Sequence, residues 1–82
     1  MKFELFSRVA LQIDLPQYGL RRGDVATIVD HHPVSGGGED GYSLEVFNAL
    51  GETIVVVVLA ESQIAPMMRN EVLQIRMLEQ AS

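Results

Sequence analysis

The sequence predicts an all-β domain of about five strands closed by a C-terminal α-helix. Three observations predict it. Three segments alternate apolar and polar residues between Gly- and Pro-rich breaks. Residues 54–59, IVVVVL, form an unbroken apolar run rich in β-branched side chains. Beyond Pro66 the apolar spacing changes from a period of two to a helical one.

Residues 2–7 are a short lead-in without a clear period. Val9, Leu11 and Ile13 then alternate with Ala10 and Gln12, which marks a first strand. Asp14-Leu15-Pro16 breaks it, and residues 16–23 read as a broad loop ending in a Gly23-Asp24 turn. The second strand is VATIVD, residues 25–30, with Ala26 and Ile28 on one face and Val25, Thr27 and Val29 on the other. Residues 33–41, PVSGGGEDG, are costly to order and predict an exposed flexible loop. Tyr42, Leu44 and Val46 define the third strand. NALGE, residues 48–52, is a hairpin turn with Gly51 suited to a positive φ. Residues 54–59 are the fourth strand, and 60–63 fit one tight helical turn. Residues 64–68 suit a short last strand that Pro66 confines to an edge.

The fourth strand carries the main functional expectation. An antiparallel strand with one wet face alternates, and this one does not, so both of its faces need cover. The tail supplies a candidate. From Asn70 to about Gln80 it reads as helix, with Val72, Ile75 and Leu78 on one side and Met68 one turn earlier. A helix of about ten residues does not persist alone in water, so it is expected to dock. Val55, Val57, Met68, Val72, Ile75 and Leu78 are thus the predicted partner and self-association residues, shielding the outer face of the fourth strand on the same chain or another. Residues 1–68 are expected to form the strand-built part and 69–82 the helical tail, within one domain overall.

Composition narrows the function classes. The chain has 82 residues and no Cys, so disulfides cannot support its small core, and oligomerisation is the remaining common means. Absence of Cys also fits a reducing compartment. The net charge is −5 and the six basic residues are dispersed, which disfavours nonspecific attraction to phosphate backbones. No apolar signal region opens the chain, and no stretch approaches the roughly 20 apolar residues of a membrane span. A cytoplasmic protein-binding homo-oligomer, with no membrane partner, is expected.

Other candidate sites favour plain structural readings. Arg22-Gly23-Asp24 spells an adhesion tripeptide but leads directly into a strand, where Gly serves the turn. His31 and His32 are adjacent on a strand, so their imidazoles should diverge, and a metal site would need Glu39 or Asp40 as well. Glu39 and Asp40 follow the three glycines where a phosphate loop needs Lys and Ser or Thr. No serine sits in a nucleophile context and no carboxylates show acid/base spacing, so neither catalysis nor a cofactor or metal is expected. The alternative reading is a nucleic-acid adaptor, with Tyr18, Arg21, Arg22 and Phe47 as a small patch bearing a stacking aromatic.

The segment LRRGDVATIV, residues 20–29, followed by GYSLEVFNALGETIVVVVL, resembles the opening of small SH3-like barrels, a group that includes ribosomal KOW segments. More broadly, residues 4–67 resemble a family of small bacterial proteins catalogued only as a domain of unknown function. The shared pattern falls on Leu5-Phe6, Val9-Ala10-Leu11, Leu15-Pro16, residues 20–28 and residues 42–47. The resemblance implies an SH3-like barrel, a KOW-type nucleic-acid adaptor as the alternative role, and an antitoxin- or immunity-like partnership with a neighbouring gene product. The SGGGEDG loop is longer than the pattern, and the tail beyond Met67 lies outside it.

Overall fold

The computed structural model describes residues 3–78. Five strands form one antiparallel open sheet: β1 (Arg8–Leu11), β2 (Val25–His32), β3 (Gly41–Phe47), β4 (Thr53–Ala60) and β5 (Ile64–Pro66). Their order is β4-β3-β2-β1-β5, so β4 and β5 are the two edges. Short 3-10 turns at Pro16–Tyr18 and Glu61–Gln63 complete the elements. The second is the tight turn expected before the last strand.

Period-two alternation builds the core. Ala26 and Ile28 on β2, and Tyr42, Leu44 and Val46 on β3, are buried together with Val9 and Leu11 of β1. Val57 and Leu59 of β4 and Ile64 of β5 join the same cluster, so the sheet curls enough for its edge strands to share one core. Leu15 and Leu20 close it from the broad loop, where Leu15 N–H and Leu20 N–H each donate to the other's carbonyl. Phe3, in the unassigned lead-in, is buried edge-to-face on Tyr42 with ring centroids 5.5 Å apart.

The β3–β4 hairpin closes through Asn48. Its Oδ1 accepts the N–H groups of Leu50 (2.9 Å) and Glu52 (3.0 Å), while Gly51 turns at φ 83° as its position requires. At the opposite edge, β5 is three residues long and ends in Pro66, the edge placement its proline demands.

Two single-residue bulges set the phase of the sheet. Ile28 pairs with Leu44 but Asp30 with Ser43, leaving Val29 as the extra residue on β2. Val46 pairs with Val55 but Phe47 with Thr53, leaving Ile54 as the extra residue on β4. A bulge shifts every later side chain to the other face.

The expected C-terminal helix is not formed. Residues 69 and 70 make a turn, and 71–78 follow without helix; 79–82 lie outside the described residues. Among the described tail residues only Leu78 packs against the core, and Arg76 holds the segment at Gly19 O (3.2 Å) and Asp24 Oδ2 (2.6 Å). An apolar docking face is what a short helix needs, and the tail instead runs past the broad loop, where Arg76 bonds Asp24 and the Gly19 carbonyl.

Candidate interaction surface

The second bulge decides which valines of β4 meet water. Continuing the Phe47–Thr53 pairing without it would turn Ile54, Val56 and Val58 inward. With it, Val57 is buried and Val55 half-buried against the core, while Ile54, Val56 and Val58 are 41%, 53% and 63% exposed. The expectation that Val55 and Val57 form the outer face is therefore corrected by one residue. The strand does have an outer apolar ridge, carried by the three side chains that sequence reasoning passed over. The only sequence signal pointing to them was the length of the apolar run itself.

The ridge stands at an edge with no strand beside it among the described residues. Its neighbours on β3 are Glu45 opposite Val56 and Ser43 opposite Val58. No charged residue occurs from Thr53 to Ala60. Unprotected, uncharged strand edges accept further strands, and monomeric proteins usually blunt them with charge, proline or brevity. This chain blunts β5 with Pro66 and leaves β4 open.

The tail does not cover this ridge. Met68, Val72 and Ile75 are exposed, Ile75 almost completely, and Leu78 sits against the core rather than over β4. Leu73 and Met77 are exposed as well. The tail's apolar side chains and the ridge of β4 are thus two separate uncovered surfaces.

The nucleic-acid candidates are divided. Tyr18 stands exposed on the first 3-10 turn and Arg21 and Arg22 on the loop that follows it. Carboxylates attend that loop: Arg21 N–H donates to Asp24 Oδ2 (2.8 Å) and Arg22 N–H to Asp14 Oδ1 (2.8 Å). Arg21, Arg76 and Asp14 line a shallow hollow with Pro16 and Met77. Phe47 lies on a different element, at the end of β3 beside Thr53. In the Arg22-Gly23-Asp24 tripeptide, Asp24 Oδ2 is engaged by Arg76 and by the Arg21 N–H.

The histidines diverge as expected, and the first bulge chooses their sides. His31 pairs with Tyr42 on the core side, its ring 5.1 Å from the tyrosine ring, and its Nε2 meets Asp40 Oδ2 at 2.7 Å. His32 Nε2 meets Ser43 Oγ at 2.7 Å on the other face. The Asp40 carboxyl is held below its ordinary range, first by His31 and next by the Val34 N–H. Glu61 accepts from the Tyr42 hydroxyl at 2.9 Å, and Glu39 accepts the Ser62 N–H and hydroxyl. These contacts tie the acidic end of the glycine loop to the β4–β5 turn. Among the described residues no three His, Asp or Glu side chains converge to hold a metal, and no helix is long and apolar enough to cross a membrane.

A protein-family model described as Domain of unknown function (DUF4926) matches residues 5–66. The match spans most of the chain and stops before the tail, as the sequence pattern did. No curated protein and no solved structure matches.

Proposed function

We propose that this chain, which belongs to the DUF4926 family, is a small non-enzymatic protein-interaction module that binds through the ridge and free edge of β4. The observation that carries this reading is the exposed trio Ile54, Val56 and Val58 on an uncharged edge strand. An apolar ridge with adjoining unpaired backbone groups suits strand addition, in which main-chain hydrogen bonds give affinity and alternate side chains give specificity. We read the curled sheet as an SH3-like barrel left open between β4 and β5. Its meander order, with a 3-10 turn joining the last two strands, supports that reading.

The test is capture from cells of the source organism with wild type and with Val58→Lys, followed by mass spectrometry. Val58 is solvent-facing, so the substitution keeps the fold, which circular dichroism verifies. A protein bound by wild type and lost with Val58→Lys is the expected result. Identical captures, or retention of RNA or DNA in low-salt filter binding by both proteins, overturn the reading.

A further inference from the structure

The broad loop between β1 and β2 places a set of hydrogen-bond acceptors without help from the tail. Leu15 and Leu20 exchange backbone hydrogen bonds across it, and Gly23 N–H donates to Leu11 O while Leu11 N–H donates to Asp24 O, tying its far end to β1. The Arg21 N–H fixes Asp24 Oδ2 and the Arg22 N–H fixes Asp14 Oδ1, each at 2.8 Å. Arg76, which lines the hollow of this loop with Asp14, Gly19 and Leu20, donates from Nη2 to both Asp24 Oδ2 (2.6 Å) and Gly19 O (3.2 Å).

The occupant is far less fixed than the acceptors. Residues 71–78 are neither strand nor helix, and Val72, Ile75 and Met77 are exposed, so the tail's hold rests on Arg76 together with Leu78 against the core. The Arg76 and Asp24 side chains are 28% and 24% exposed, where water competes for both partners. From this we infer that the loop is a second binding site, for an extended basic segment of a partner protein, and that Arg76 and Leu78 fill it in cis as a releasable strap. The loop lies within the residues matched by the family model and the tail lies beyond them, so the acceptors belong to the domain and the strap is an addition to it. A net charge of −5 favours the approach of a basic segment. One nitrogen makes both contacts, so the site reads a cationic donor followed two residues later by an apolar side chain. Tethering gives the tail an effective concentration on the order of millimolar, against which an incoming segment must compete. The site involves other elements than the β4 ridge, and neither reading depends on the other.

The test uses the full chain and, as probe, the acetylated and amidated peptide QIRML, the sequence of residues 74–78. Backbone amide NMR follows Gly19, Arg21 and Asp24 in wild type and in Arg76→Ala, with circular dichroism confirming the fold of both. Arg76→Ala alone should shift these amides, and millimolar peptide should return them toward their wild-type positions in a saturable way. Affinity for Arg76→Ala should be about three- to fivefold tighter than for wild type, whose own arginine competes. A peptide with alanine in place of the arginine should give no saturable shift. Amides unmoved by Arg76→Ala, equal affinity for the two proteins, no saturable binding to Arg76→Ala, or equal binding of the alanine peptide each overturn the inference and leave the β4 reading to the capture experiment.

Discussion

Asp40, through its contact with His31, is a residue at which pH bears on this fold. The Asp40 carboxyl is lowered because His31 bonds it and the Val34 N–H adds a second donor. A carboxyl lowered on folding contributes stability above its unfolded value, and that contribution is lost as pH falls through the lowered folded value. The Asp40 carboxyl resonance is therefore expected to titrate below the ordinary aspartate range and to move back up in His31→Ala. An ordinary midpoint in wild type would refute the contact. Tyr42 is the second decisive residue, with its ring fully buried and its hydroxyl on Glu61. Tyr42→Phe keeps the ring and removes the hydroxyl, so chemical denaturation should register a loss of about 1 kcal/mol. These contacts were only partly legible in the sequence. Divergence of His31 and His32 follows from strand periodicity, but the side each takes depends on Val29, an ordinary strand residue that becomes a bulge only when β2 meets β3.

At the level of elements, the strands follow from local pattern and the tail does not. Alternation, the Asn48–Gly51 turn chemistry and Pro66 each act over a few residues, so they can be read without the fold. The helical spacing of Val72, Ile75 and Leu78 is equally visible, but spacing yields a helix only where a docking face exists. Arg76 instead anchors the tail to Asp24 and the Gly19 carbonyl. Arg76→Ala should raise amide exchange and proteolysis in residues 71–78 while changing global stability by under about 1 kcal/mol, the scale of a solvent-accessible ion pair. Ile75→Asp, which a docked helix would not tolerate, should change the unfolding free energy by no more than about 0.5 kcal/mol, because Ile75 touches almost nothing. A large loss in either variant would show that the tail holds the fold.

The whole molecule is small enough for one core residue to decide its stability. Domains are stable by roughly 0.05–0.15 kcal/mol per residue, and Leu44→Ala in a fully buried site costs about 2–5 kcal/mol, a large share of the total. Calorimetry should show that variant unfolding far below wild type or not folding at all. With so little in reserve, an open, uncharged edge is a risk unless it is used, and pairing would convert it into added stability. By itself the sequence determined that there are five strands, where they turn, and that the fourth is too apolar for one wet face, since these depend on side-chain chemistry and short-range geometry. Tertiary structure alone decided which side of that strand is wet, which histidine meets Tyr42, and where the tail lies. The physical reason is the same for the first two: pairing between strands inserts one extra residue, and one residue in a period of two exchanges inside for outside.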